Sequence, residues 1–320
     1  MSAAECSWDG ARVLVTGARG FIGRHLVAGL EATGAEVIAA DRGGDADAKL
    51  DLRDGDTVRA AIESTQPAVV INLAAVADPR QAEADPLAAY DVNVLGQLRV
   101  ILALRELAPD ARLIVLGSAL QYGRDGHDRP VREDDPQRPE GVYATTKAAA
   151  DVQAAQHHRS DGLDIVRLRL FNVIGPGRPE EYFPAPQIRQ AAEILDRGAP
   201  ALIRTLSLRD TLDFVDVRDA ADAIQAVAAR GRTGAAYNVA SGQATPLRAV
   251  VDRLIEIAGI QAEIQEGGSN AAAQGRVVVG DPSLIARDTG WRVSRTVDDS
   301  LRDGLTEVRE RLASSVPIVA

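Results

Sequence analysis

This sequence predicts an α/β fold, a doubly wound parallel sheet with a smaller C-terminal lobe, on two observations. Short apolar runs rich in Val, Ile and Leu alternate with longer segments of helical periodicity through the first half, the pattern of parallel strands joined by crossover helices. Past Asn172 the composition changes: Gly175, Pro176, Gly177, Pro179, Pro184 and Pro186 crowd one stretch, and proline at that density breaks helices and strands alike. The expected organisation is a tail over 1–9, a sheet domain over 10–178 plus 212–242, and a smaller lobe over 179–211 plus 243–320.

The strand candidates are Arg12 to Thr16, Glu36 to Ala40, Ala68 to Leu73, Arg112 to Gly117 and Asp164 to Leu170, nearly unbroken in apolar character, as strands covered on both faces are. Helices between them are expected from near Phe21, Thr57, Pro86 and Tyr143. Beyond the proline-rich edge the reading is helix over Gln187 to Asp196, strand over Phe214 to Val217, helix over Arg218 to Ala229, strand over Ala236 to Val239 and helix over Leu247 to Ala258.

The chain has 320 residues, 46% hydrophobic and 26% charged, enough for one large core with an appended lobe. A net charge of -10 argues against a nucleic-acid partner, which needs a basic face to replace counterions. The lone cysteine, Cys6, gives no sign of an oxidising compartment, and neither a leader pattern nor a run of about 18 apolar residues is seen. A cytoplasmic protein without a membrane span is expected. His157 and His158 are adjacent and read as surface residues; with His25 and His127 elsewhere, no metal site is expected. The run Glu133-Asp134-Asp135 reads as a solvated loop.

The first strand runs into Gly17-Ala18-Arg19-Gly20-Phe21-Ile22-Gly23 and then an amphipathic helix. Gly17 permits the tight turn, Gly20 lets backbone N–H groups approach a pyrophosphate, and Gly23 allows close helix–sheet packing, while the helix N-terminus favours an anion. The second strand ends at Asp41, where an acidic side chain accepts hydrogen bonds from the adenosine ribose, favouring NAD; the adjacent Arg42 leaves NADP open.

Tyr143 and Lys147 stand four residues apart, one turn along one helix face. A free phenol has a pKa of about 10, and a neighbouring ammonium favours the phenolate, so Lys147 is expected to bring Tyr143 towards working pH as a general acid or base. Ser118 ends an apolar strand, at the sheet edge where open α/β folds bind ligands, and its hydroxyl is suited to hold the reacting oxygen. A serine-hydrolase reading fails because Leu116 and Leu120 stand where a nucleophile elbow needs glycines.

Together, Thr-Gly-x-x-Gly-Phe-Ile-Gly, the Asn72-Leu73-Ala74-Ala75 strand end, Asn93, Ser118 with Tyr122-Gly123, Tyr-x-x-x-Lys and Phe171-Asn172-x-x-Gly-Pro-Gly resemble the extended short-chain dehydrogenase/reductases, a Rossmann-type family, over about residues 10 to 310. The segments Asp213 to Asp219, Tyr237 to Gly242 and Thr289-Gly290-Trp291 are most similar to its GDP-sugar branch, which holds GDP-4-keto-6-deoxymannose reductases and GDP-mannose 4,6-dehydratases.

The resemblance implies an oxidoreductase with Ser118, Tyr143 and Lys147 as its catalytic residues. It places Gly17, Gly20, Phe21, Ile22, Gly23, Asp41, Arg42, Asp51, Leu52, Leu73, Ala74, Ala75, Asn93, Tyr143, Lys147 and Phe171 on the cofactor, and Ser118, Gln121, Tyr143, Asn172 and Arg209 on the substrate. It also implies a homodimer formed through the helices expected from Pro86 and Tyr143. Ala119, Leu120 and Gln121 supply no acid after Ser118, which disfavours dehydration and leaves ketoreduction, alcohol oxidation or epimerisation through a transient ketone. Leu212 replaces the arginine usual before Asp213-Phe214, and only Arg276 follows the stretch from Gly267 to Gln274. A nucleotide-sugar substrate therefore stands beside a non-nucleotide polyol or specialised-metabolite intermediate, and a silent NAD-sensing scaffold is a further alternative.

Overall fold

The structure, a computed structural model, describes residues 8–43, 45–123, 128–198, 200–267 and 275–314; Cys6 and His127 lie outside them. In chain order the first half runs β1 (Arg12–Thr16), α1 (Phe21–Glu31), β2 (Glu36–Asp41), β3 (Ala48–Lys49), α2 (Gly55–Thr65), β4 (Val69–Asn72), α3 (Pro79–Ala84), α4 (Pro86–Tyr90), a π-turn at Asp91–Gly96, α5 (Gln97–Leu107), β5 (Arg112–Ser118), α6 (Val142–Asp161) and β6 (Ile165–Leu170). The second half runs β7 (Asn172–Ile174), α7 (Ala185–Arg197), β8 (Leu202–Thr205), β9 (Thr211–Leu212), β10 (Phe214–Asp216), α8 (Val217–Arg230), β11 (Ala236–Val239), β12 (Thr245–Pro246), α9 (Leu247–Ala258), β13 (Glu263–Glu266), β14 (Val277–Val278), α10 (Ser283–Thr289) and α11 (Val297–Ser314).

Seven parallel strands form the main sheet in the order β11-β6-β5-β4-β1-β2-β3. Chain order reverses between β1 and β4, and open α/β sheets bind ligands at the carboxyl ends beside such a reversal. Alternation along each strand feeds two cores. Val13, Val15, Val69, Ile71 and Ile114 pack under α1 and α8, whereas Leu14, Val70, Leu113 and Val115 pack under α2 and α5, as a side-chain period of about two requires. Burying both faces explains why no polar alternation marks these strands.

A third core, built from Ile188, Ala191, Ile203, Leu212, Phe214, Val250, Leu254, Leu301 and Leu305, holds α7, α9 and α11 together as the smaller lobe. Ile285 and Trp291, expected in that lobe, pack into the core beneath the main sheet instead, with the Trp291 indole donating to Asp219 O at 3.0 Å.

The helix expected from Pro86 is divided. Asp85 caps α4 by accepting from Ala88 N at 3.0 Å, and the π-turn brings Gly96 so close to Leu52 that a Cβ there would meet the Leu52 Cβ at 2.7 Å. By length and composition Pro86–Leu107 is apolar enough to cross a membrane; here 44% of that window is buried, and α5 packs on α2 and α6. Two side-chain expectations are corrected by packing. His157 is buried, its Nδ1 at 2.6 Å from Asp161 Oδ2, and Glu133 folds onto β11, accepting from Asn238 N at 2.8 Å.

Candidate active site

The turn after β1 is shaped by contacts that leave no room for side chains. A Cβ on Gly23 would sit 2.3 Å from Gly17 O and 2.5 Å from Ala18 O. Gly17 has φ +65°, and its Cβ would stand 2.9 Å from Ala74 N. Helix α1 thus starts directly against the carboxyl edge of the sheet, with its first N–H groups facing open space, a ready anion site. Thr16 ties the turn to β4: its hydroxyl donates to Asn72 Oδ1 at 2.7 Å and accepts from Ala74 N at 3.2 Å.

A cleft of ≈ 490 Å³ opens along this edge, within the size range of small-molecule and cofactor sites. It collects Gly17, Gly20, Phe21, Ile22, Gly23, Asp41, Arg42, Asp51, Leu52, Leu73, Ala74 and Ala75, all expected on the cofactor, together with Leu116, Arg178 and Tyr182. The backbone-lined floor, the helix N-terminus and the carboxylate at the end of β2 form the donor and acceptor set that a dinucleotide requires. Asp41 accepts from Arg42 N at 2.7 Å, while Arg53 forks onto Asp51 and holds that carboxyl down at about 2.

Asn93 does not line the cleft but clamps its wall. Its side chain accepts from Val76 N at 2.8 Å and donates to Val76 O at 3.1 Å and to the Thr146 hydroxyl at 3.0 Å. The strand-end loop is thereby bound to α6 between Tyr143 and Lys147.

Tyr143, at the start of α6, shares a hydrogen bond with Ser118 at the end of β5, and Lys147 one turn on donates to Leu116 O at 2.8 Å. The three side chains therefore meet at the carboxyl end of β5, where Leu116 lines the cleft but none of the three is itself part of the lining. Its electrostatics reverse the expectation from spacing: burial pushes Tyr143 up to about 12 against the Ser118 hydrogen bond, and burial pushes Lys147 down to about 8. For Tyr143 the cost of burying a phenolate outweighs the Ser118 hydrogen bond, so the phenol keeps its proton near neutral pH.

Gln121, expected on the substrate, is fully buried instead. Its Oε1 accepts from Ser118 N at 2.6 Å and its Nε2 donates to Gln137 at 3.2 Å. Gln137 continues to Asp151 at 3.0 Å, which Arg167 and Arg169 hold. Gln121 supports the serine, with both amide atoms engaged within the protein. The Phe171 ring packs in a separate apolar cluster with Tyr122, Val131 and Val278. Asn172 donates through Nδ2 to Asp213 O at 2.9 Å, exposed Arg209 is not among the cleft's lining, and Arg276 is held by Asp210 at 2.8 Å. Among the described residues no group of His, Cys, Asp and Glu is fit to hold a metal. Arg178 went unpredicted; no local spacing marks it.

The model of the NAD-dependent epimerase/dehydratase family matches residues 13–240. The chain is 29% identical over 305 residues to GDP-6-deoxy-D-mannose reductase of Pseudomonas aeruginosa, covering 94% of this chain and 98% of that one. It is 31% identical over 306 residues to dTDP-6-deoxy-L-talose 4-dehydrogenase (NAD(P)(+)) of Kitasatospora kifunensis, covering 92% and 94%. Among solved structures it is similar to RMD from Pseudomonas aeruginosa complexed with NADPH, with a TM-score of 0.85, 29% identity and 94% and 98% coverage.

The depressed Lys147 pKa has a signed consequence. The unfolded chain keeps this proton up to its ordinary value of 10.5, whereas the folded protein sheds it from about 8, so Lys147 adds stability as pH rises through that window and costs stability below it. Denaturant unfolding at pH 7 and pH 9.5 is expected to give wild type a more favourable change with pH than Lys147→Met. Equal changes for the two proteins would contradict the desolvated lysine.

Proposed function

The chain belongs to the NAD-dependent epimerase/dehydratase family, and from that premise we propose that it is an NAD(P)-dependent oxidoreductase that reduces a 4-keto nucleotide sugar, or oxidises the corresponding alcohol. The observation that carries this reading is that Ser118, Tyr143 and Lys147 meet at the end of β5, whose Leu116 lines a cleft suited to a dinucleotide. Both curated relatives described above carry names of 4-position or deoxysugar redox chemistry and match over nearly their whole length.

The bound nicotinamide supplies or accepts the hydride. In reduction, the Ser118 hydroxyl holds the carbonyl oxygen, and Tyr143 donates its proton to that oxygen as the carbon gains hydride, so C–H and O–H bonds replace the C=O π bond. A phenol pushed up to about 12 is fully protonated near neutral pH and suited to this donor role. Lys147 hydrogen-bonds the nicotinamide ribose in this reading, exchanging Leu116 O for it. Holding the reactants at contact distance supplies much of the acceleration. No acidic residue occupies 119 to 121, so elimination of water lacks its second proton carrier. Asp41 in the cleft favours NAD over NADP, and it supports epimerisation with retained NAD as a second reading.

We place the enzyme in the cytoplasm as a homodimer. Leu87, Tyr90, Leu95 and Leu102 on the α4–α5 stretch and Val152 on α6 are exposed apolar side chains on the helices that the dimer would use. Light scattering is expected to give twice the chain mass; a single-chain mass at all concentrations would reject the dimer.

Wild type with NAD⁺ and GDP-6-deoxy-D-mannose or dTDP-6-deoxy-L-talose is expected to produce reduced nicotinamide. Tyr143→Phe should lower turnover by about 10²-fold or more while leaving dinucleotide affinity within a few-fold. Wild type that binds NADH but turns over neither these nor other nucleoside-diphosphate sugars would sink the nucleotide-sugar assignment in favour of a non-nucleotide polyol.

A further inference from the structure

Resting on the dinucleotide reading, we propose that Arg178 is the cation that neutralises a phosphate of the bound cofactor, beside the glycine turn. Arg178 lines the same cleft as Gly17, Gly20 and Phe21. Its guanidinium lies 5.3 Å from the Tyr182 ring centroid and 5.7 Å from that of Phe21, the first residue of α1. The side chain is therefore held by two aromatic faces beside the helix terminus that offers its N–H groups to an anion.

The loop carrying Arg178 is fixed from behind. Arg24 of α1 donates to Gly177 O at 3.0 Å, His25 Nε2 lies 3.1 Å from Pro176 O, and Glu307 of α11 accepts from Gly177 N. Gly177 has φ +78°, a conformation that favours glycine, and these three contacts tie the loop to α1 and α11. Within the guanidinium, Nε donates to Phe183 O at 2.8 Å and Nη1 donates to Val173 O. Among the described residues no protein acceptor is recorded for Nη2.

What distinguishes Arg178 is burial without a counter-charge. Arg167 and Arg169 share Asp151, Arg218 holds Asp216, and Arg276 holds Asp210. No carboxylate stands within ion-pair distance of Arg178 among the described residues. Burial lowers its pKa to about 10, which leaves it charged at neutral pH and incompletely solvated. A cation in that condition is costly until an anion arrives, and a guanidinium fork matches phosphate oxygens. Its companions in the cleft are the glycine-turn residues, not Asn172 or Arg209, which assigns the phosphate to the cofactor before the substrate.

The test titrates wild type, Arg178→Lys and Arg178→Met with NADH by fluorescence, and with adenosine and a nucleoside-diphosphate sugar by saturation-transfer NMR. Arg178→Met is expected to weaken NADH binding by about 30-fold or more, the loss typical when one partner of a desolvated charge pair is removed. Arg178→Lys should fall between, and adenosine, which has no phosphate, should bind all three proteins equally, showing that the variants fold. NADH affinity unchanged in Arg178→Met would overturn the proposal and leave the proposed function standing. A loss confined to the nucleoside-diphosphate sugar would also overturn it, assigning the arginine to substrate. Wild type that binds no NADH would bring down both readings.

Discussion

Everything at the functional edge depends on backbone touching backbone where β1 turns into α1. With 2.3 Å between Gly17 O and any Cβ at position 23, and 2.9 Å between a Cβ on Gly17 and Ala74 N, the turn, the helix start and the end of β4 form one surface with no side chain between them. That bareness leaves amide donors accessible at the reversal point of the sheet. A polar ligand approaching this edge meets oriented N–H groups that need no reorganisation to receive it. The Thr16 and Asn72 hydrogen bond buried beneath the turn fixes that geometry from within.

Helix α6 is the second organiser. Tyr143, Thr146, Lys147 and Asp151 lie on successive turns, and each fixes a different part of the site: the serine, the Asn93 clamp, the β5 backbone and the Gln137–Gln121 relay to Ser118 N. Such buried polar networks are stabilising only when every member is satisfied. Arg169 shows how this is met: it pairs with Asp151, donates to the Tyr122 hydroxyl at 2.8 Å and donates to Glu133 O at 2.9 Å. Tyr122, pushed up to about 12 mainly by burial, stays a neutral donor to Asn238 at 2.7 Å. The reactive residues are thus carried on a rigid helix, and the loops they meet are tied to that same helix.

What was legible in the sequence is what local spacing encodes. Glycines at a strand–helix corner, a tyrosine and lysine one turn apart, and a serine closing an apolar strand are each short-range patterns, and all three meet at one sheet edge. The Rossmann-type α/β sheet was legible for the same reason, because strands buried on both faces leave continuous apolar runs. The C-terminal helix α11 was not among the expected helices, although Asp298 and Asp299 in its first turn and Leu301, Leu305, Val308 and Leu312 at helical spacing would have marked it. The strands β9, β12 and β14, two residues each, have no period to read. Gln121 turning inward, His157 taking Asp161, and burial overriding the charge of Lys147 at Tyr143 depend on what surrounds a side chain in three dimensions. Arg178 belongs to this class: a proline-rich loop says where the chain bends, not which guanidinium is left without a carboxylate.

The central claim is that one cleft orients a dinucleotide from the carboxylate at the end of β2 to the phenol at the start of α6. A crystal structure of the protein with NADH tests this most directly. The account predicts adenosine ribose hydroxyls on Asp41, pyrophosphate over the turn from Gly17 to Gly23, and the nicotinamide beside Tyr143 and Lys147. Density for NADH with its nicotinamide at Asp41, or lying outside this cleft, would contradict it.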